Sequence, residues 1–382
     1  MRLGIDASNI RRGGGVTHLV ELLRAADPVL YGFSEVFVWS GQATLEKIEN
    51  RQWLRKVHVP KLDGGLLARS IWQGRVLSGC AQAAGCQLLF IPGGTFAGTF
   101  APIVTLSQNL LPFEWKELRR FGWSAMTLKL ILLRFTQSRT FRKAAGLIFL
   151  THYAENAVRQ VIKANLGKTA IIPHGIDQRF SLAPRPQKPI DTYSIKAPYK
   201  LIYVSIIDVY KHQGQVAEAV AKLRSEGFPV EIDLIGPAYS PAAKKLAKVL
   251  GQLDPLGEFI HLTGPIPYES LHAYYKAADL GVFASSCENL PIILLEGMAA
   301  GLPIACSKMG PMPEVLQDGG LYFDPEDGAD IYRVLKALIQ APELRANLAE
   351  KSWAATKTYS WQKCAEHTFK FFADQVAPRN KG

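Results

Sequence analysis

The sequence predicts an α/β protein made of two doubly wound, Rossmann-like units in series, and three observations carry that prediction. The chain has 382 residues, more than a single hydrophobic core usually organises. Short apolar runs alternate with helix-spaced segments, and the alternation occurs twice. A proline-rich stretch, 183–198, stands between the two series and reads as a linker. Domains are therefore expected at 1–182 and 183–359.

In order, residues 2–6 form a first strand and 9–15 a loop ending in Gly13-Gly14-Gly15. Residues 16–26 then show helical spacing at Leu19, Leu22 and Leu23. Further strands are predicted at 36–39, 57–59, 88–91, 103–106 and 147–150, and Ala170-Ile171-Ile172-Pro173-His174-Gly175-Ile176-Asp177 closes the first unit. The second unit takes strands at 200–206, 230–235, 259–262, 280–284 and 303–305. Strands alternating with helices at this spacing give parallel sheets covered on both faces.

Composition removes several classes. Hydrophobic residues make up 48% and charged residues 20%, which describes a folded chain rather than a disordered one. Forty-four basic against 33 acidic residues leave a net charge of +11. That balance suits an anionic partner: nucleic acid, membrane phospholipid or a phosphorylated small substrate. The five cysteines, Cys80, Cys86, Cys287, Cys306 and Cys364, include no C-x-x-C pair and indicate neither a disulfide framework nor a zinc site, so a reducing cytoplasm is expected. Asp6 falls where a signal peptide needs its apolar core. The uncharged stretch 86–113 is broken by Pro92-Gly93-Gly94, Gly98 and Pro102 and reads as two buried strands with a loop, so no transmembrane helix is predicted.

Open parallel sheets bind ligands at the carboxyl ends of their strands, and three loops there carry usable chemistry. Gly13-Gly14-Gly15 lets backbone approach a ligand without an intervening side chain, or is a flexible turn, and it lacks G-x-G-x-x-G spacing. Lys211 lies just past a strand end in Tyr210-Lys211-His212, where a solvated lysine is the plain alternative. The third loop runs from Cys287 to Glu296. Pro291 suits the first position of a helix that Gly301 closes, which puts Glu288 in the strand-to-helix turn and Glu296 about 7–8 Å along the helix. Helix N–H groups there would attract phosphate, leaving Glu296 placed to reach a ribose; helix capping by Glu288 and a solvated Glu296 is the plain reading.

A string of motifs resembles the family 4 glycosyltransferases. Gly264-Pro265-Ile266-Pro267-Tyr268-Glu269, Leu271, Tyr275, Ala278-Asp279, Ser285-Ser286-Cys287-Glu288, Glu296-Gly297-Met298-Ala299-Ala300-Gly301-Leu302-Pro303 and Pro313-Glu314-Val315 are similar to that family's C-terminal signature. Ile172 to Asp177 resembles its interdomain turn, the three glycines its N-terminal loop, and Tyr359-Ser360-Trp361 the start of its closing helix. The resemblance implies a GT-B fold, two Rossmann-like domains facing a central cleft, with helix 360–382 packed back on the first. It implies a retaining hexosyltransferase using a nucleotide-sugar donor, with GDP-mannose suggested by the Tyr210-Lys211-His212-Gln213 and Gln108-Asn109 variants. Carried over, Glu288 and Lys211 are catalytic. Glu296, Asn289, Leu290, Ser205, Gly14 and Gly15 bind donor, while Gln108 and Asn109 position sugar. Two departures stand out. Ser205 and Ile206 occupy the region of a frequent arginine, and Gln108-Asn109 that of a frequent histidine, so the first-domain loop keeps a positioning role without a charge change. No D-x-D pair is seen and no metal or cofactor is expected, because a fixed cation and helix N–H groups can stabilise a leaving diphosphate.

Residues 115–143 carry Lys116, Arg119, Arg120, Lys129, Arg134, Arg139, Arg142 and Lys143 against the single acid Glu117, interleaved with Trp115, Trp123, Leu128, Leu132 and Phe135. Such a segment can lie at an anionic membrane surface, or it can face its apolar residues to the core. The preferred expectation is glycosyl transfer to a glycan or lipid-linked acceptor in cell-envelope polysaccharide assembly, with the enzyme cytoplasmic or peripheral on the inner membrane face. A non-catalytic sugar-nucleotide-binding subunit is the alternative. Nucleic acid is not expected as a partner, because no binding motif accompanies the charge.

Overall fold

The computed structural model describes residues 1–11 and 13–376. Two units divide the chain. The first comprises Met1–Leu118, Gly122–Gly175 and the stretch from Tyr359 onward; the second comprises Ile176–Thr358 with Arg119–Phe121.

The first unit holds a seven-stranded parallel sheet in the order β3-β2-β1-β4-β5-β6-β7. Its strands are β1 (Arg2–Asp6), β2 (Glu35–Ser40), β3 (Leu54–His58), β4 (Leu88–Ile91), β5 (Ile103–Leu106), β6 (Gly146–Phe149) and β7 (Lys168–Ile171). The central strands β4, β5 and β6 are buried at every residue, as uncharged runs covered on both faces must be. Edge strand β7 is only half-buried, and its sequence Lys-Thr-Ala-Ile carries too little apolar signal to read as a strand beforehand. The closing helix, Trp361–Val376, belongs to this unit: Phe372 packs on Phe90 at 4.8 Å between ring centroids and Phe369 on Phe33 at 6.2 Å. Gly146 of β6 admits it, because a Cβ there would stand 2.7 Å from the Phe371 ring.

The second unit holds a six-stranded parallel sheet, β10-β9-β8-β11-β12-β13. These are β8 (Tyr199–Val204), β9 (Val230–Ile235), β10 (Ile260–Gly264), β11 (Leu280–Phe283), β12 (Ile304–Ser307) and β13 (Gly320–Phe323). Strand β13 was not expected, since four residues between Gly319-Gly320 and Pro325 resemble a turn more than a strand. The division falls at Gly175/Ile176 rather than at Leu182/Ala183. The reason is packing within the second unit: Phe180 lies against Tyr268 and Tyr275, and the Leu182 amide donates to Ala299 O at 2.9 Å. In each sheet the strand order reverses once, at β1/β4 and at β8/β11. Ligand crevices of doubly wound sheets form at the carboxyl ends flanking such reversals.

Candidate active site

In the second unit, the chemistry gathers where the order reverses. Strand β8 delivers Ser205 and Lys211, and β11 delivers Glu288. Lys211, 6% exposed as a residue, pairs its ammonium with the Glu288 carboxylate. Burial of an ion pair costs several kcal/mol per ion unless close geometry and further partners offset it. Here the Tyr210 and Phe283 rings sit 5.0 and 5.7 Å from Lys211 Nζ. The loops are stitched together around the pair. Ser286 N donates to Tyr210 O at 2.9 Å, His212 Nε2 meets Ser286 Oγ at 3.0 Å, and the Tyr203 hydroxyl donates to Lys211 O at 2.7 Å. His212 adopts a left-handed φ of 53° before the helix Gln213–Ser225, so the turn that presents Lys211 is backbone-strained and held by these bonds. Buried Ser205 accepts from Gln213 Nε2 at 2.9 Å.

Asn289 and Leu290 are both buried in the turn between β11 and the helix Ile292–Ala299, which Pro291 caps and Gly301 (φ 67°) ends. Side chains are excluded at Gly301, where a Cβ would stand 2.7 Å from Pro184 N.

Glu296 occupies a different setting from Glu288. It is fully buried; Tyr268 donates to Oε1 at 3.0 Å and Tyr275 to Oε2 at 3.4 Å, both from the helix Tyr268–Ala277. Burial pushes its pKa up to about 8 against the opposing pull of the two tyrosine hydroxyls. Arg179 stands 5.3 Å over the Tyr268 ring and pairs with Asp177 at 2.6 Å. Tyr268, Tyr275 and Asp177 belong to motifs read from the sequence but were given no role there, and Arg179 was not singled out at all. Two aromatic residues at i and i+7 on one helix were the available signal for the first pair.

The first unit carries its own set. Gly13 (φ 69°) precedes the helix Gly14–Ala25, and a Cβ at Gly14 would meet nothing within 4 Å. At Gly15 a Cβ would stand 3.0 Å from Gln108 Oε1, so the loop and Gln108 are neighbours. Gln108 Nε2 meets His18 Nδ1 at 3.3 Å. His18 stacks on His174 at 4.4 Å, and His174 on Trp361 at 5.6 Å. Burial lowers the His18 pKa to about 4 and holds His174 well below the usual range, the charge of His18 adding to the latter. Both imidazoles are neutral at pH 7, and neither ring nitrogen of His174 has a hydrogen-bond partner. A histidine thus stands behind Gln108 after all, supplied by the helix after the glycine loop; its lone polar position on a Leu-lined buried face was the signal. Asn109 is exposed, and its side-chain oxygen accepts from Leu111 N at 3.1 Å, closing a turn.

The comparisons agree with this architecture. Residues 187–353, most of the second unit, match the family model described as glycosyl transferases group 1. Among particular proteins, the chain is similar to O-antigen chain mannosyltransferase B of Escherichia coli, 33% identical over 110 residues, covering 29% of this chain and 29% of that protein. It is also similar to MMP alpha-(1->4)-mannosyltransferase of Mycolicibacterium hassiacum, 25% identical over 247 residues, covering 63% and 57%. The matched stretches thus span well under two thirds of these relatives' lengths. A sucrose-phosphate synthase structure from Thermosynechococcus elongatus superposes with a TM-score of 0.76, covering 99% of each chain at 16% identity. The two doubly wound units are those of the GT-B fold.

Proposed function

We propose that this chain is a retaining glycosyltransferase that moves a hexose from a nucleotide-diphosphate sugar to a glycan or lipid-linked acceptor. The observation that carries the reading is the Lys211–Glu288 pair at the strand reversal of the unit that the glycosyl transferases group 1 model matches. As the bond between the sugar's anomeric carbon and the diphosphate breaks, negative charge builds on the leaving oxygens. Lys211 turns from Glu288 to that charge, and the N–H groups at Asn289 and Leu290 add to it. Glu288 then faces the sugar at its reacting carbon. Glu296 takes the ribose hydroxyls, which requires Tyr268 to give up its bond to the carboxylate. Ser205, Gly14 and Gly15 line the donor, and Gln108 with Asn109 positions sugar. The positive charge that this chemistry needs comes from the chain itself, so no metal is invoked.

Mannose from GDP-mannose is the leading donor, supported by the two mannosyltransferases among the relatives. Thermal-shift titration against GDP-, UDP-, ADP- and dTDP-sugars tests this: a shift confined to GDP-mannose is expected, with its consumption and release of GDP once a glycan or lipid-linked acceptor is added. No shift with any donor overturns the reading, and binding without consumption points to a sugar-nucleotide-binding subunit.

The same reading takes the first unit to an anionic membrane surface, as fits a lipid-linked acceptor. On the helix Ala125–Lys143, Leu128, Ile131, Leu132 and Phe135 recur at i, i+3, i+4 and i+7 and are 70, 43, 61 and 67% exposed, with Trp123 wholly exposed before them. Exposed Lys129, Arg139, Arg142 and Lys143 flank that stripe. No helix among the described residues is long and apolar enough to cross a membrane. An apolar stripe edged by cations suits an interfacial helix, each cation near anionic lipid contributing about 1 kcal/mol. Sedimentation with vesicles should rise with anionic lipid at low salt; indifference to lipid charge would refute it.

A further inference from the structure

The first unit gathers cations at its own strand reversal, where the glycosyl-transfer reading gives no role to them. The helix Leu66–Arg75 is pinned beside the end of β1 by buried Gln73, whose amide donates to the Asp6 carboxylate and to Thr95 O at 2.9 Å. One turn earlier, Arg69 donates to Asn9 Oδ1 at 3.3 Å and Gly65 O at 3.4 Å. From the loop after β1, Arg11 donates to Gly64 O at 3.0 Å and Asp63 O at 3.3 Å.

These hydrogen-bond partners are neutral. Asp63, whose carboxylate feels the Arg11 charge, directs its oxygens to His58 at 2.6 Å and to Gln42 N at 2.8 Å. The two cations feel each other: burial first, and the charge of Arg11 second, lower the Arg69 pKa. Like charges brought together without a carboxylate between them are destabilising until an anion arrives, and guanidinium forks match oxyanions in shape. The adjoining backbone leaves room, since a Cβ at Gly13 or Gly14 would meet nothing within 4 Å. The same helix also leaves Leu66, Leu67 and Ile71 63, 75 and 48% exposed. An apolar patch beside a cation pair suits a ligand with an anionic head and an apolar body.

We propose that Arg11 and Arg69 hold the anionic head of an amphiphilic acceptor, an oxyanion borne as phosphate or carboxylate, while Leu66, Leu67 and Ile71 receive its apolar part. This deepens the glycosyl-transfer reading and rests on it. The probes are decyl phosphate, decanoate, inorganic phosphate and neutral decyl maltoside, titrated calorimetrically into the full chain below their micelle concentrations. A decyl anion should bind more tightly than inorganic phosphate and decyl maltoside, and increasingly weakly as salt rises. Decyl phosphate against decanoate tells which oxyanion is preferred. Arg11→Gln and Arg69→Gln should each weaken the decyl anion about tenfold, with Arg69→Lys restoring part of the loss. Leu67→Ser with Ile71→Ser should reduce the decyl anion to the affinity of inorganic phosphate. Equal binding of decyl phosphate and decyl maltoside, a salt-independent affinity, or unchanged binding by both arginine variants would overturn the inference. Donor binding, measured on the unmodified chain, separates the failures. A chain that binds donor but no decyl anion loses this inference alone, whereas one that binds no donor loses the transferase reading whatever the amphiphile does.

Discussion

Replacing Glu296 by glutamine should change how the second unit's stability responds to pH. Burial raises the Glu296 pKa from 4.5 to about 8. Between those values the folded unit retains a proton that the unfolded chain has released, so this carboxyl favours folding at low pH and that contribution is lost as pH rises toward 8. The slope is about 1.4 kcal/mol per pH unit, or roughly 4 kcal/mol between pH 5 and pH 8. A side-chain amide cannot ionise and still offers an oxygen to one tyrosine hydroxyl, so Glu296→Gln should lose this part of the dependence while the fold is kept. Hydrogen exchange followed by mass spectrometry suits the question, because the slowest amides of β8 and β11 report the second unit without assuming that the whole chain unfolds in one step. Stabilities corrected for intrinsic exchange would be compared at pH 5, 6, 7 and 8. Parallel profiles for the variant and the unmodified chain would refute the argument, since they would mean that Glu296 titrates alike folded and unfolded.

The first unit should respond with the opposite sign. Its buried His18 has a lowered pKa of about 4, so stability is lost as pH falls from about 6.5 toward that value, and His18→Gln should remove roughly 3 kcal/mol of that dependence from exchange at β1 and β5. Phe372→Ala should cost the first unit about 3–5 kcal/mol, read from the same amides, because the ring packs fully buried against Phe90. Under the proposed chemistry, Lys211→Ala should lower turnover about 10²–10³-fold while weakening donor binding less; equal losses in both would remove the developing-charge role.

Alternation of buried runs and helix-spaced segments was enough to place eleven of the thirteen strands among the described residues, because a strand covered on both faces must be apolar throughout. The two that were not placed, β7 and β13, are edge strands with one partner and half-exposed residues. At the candidate site, the meeting of Lys211 and Glu288 was legible because each lies in the loop that follows a buried strand, and topology brings the ends of β8 and β11 side by side. Tyr268 and Arg179 were not. Their approach to Glu296 depends on how the helix Tyr268–Ala277 and the segment after Gly175 pack, which no local periodicity encodes. His18 was obscured for a related reason: on an otherwise aliphatic face it reads as core, and only tertiary packing puts it beside Gln108.

The closing helix gives the two units different histories during synthesis. The six strands of the second unit's sheet all lie between Tyr199 and Phe323, ahead of the closing helix in the chain, so that sheet can pair without waiting for it. The first unit cannot: although β1 through β7 leave the ribosome earlier, Phe33, Phe90 and Gly146 await Phe369, Phe372 and Phe371 from the last helix. The sheet made first is therefore finished last. A nascent chain halted before Trp361 carries an uncovered apolar face on that sheet, the kind of surface that chaperones hold and aggregates recruit.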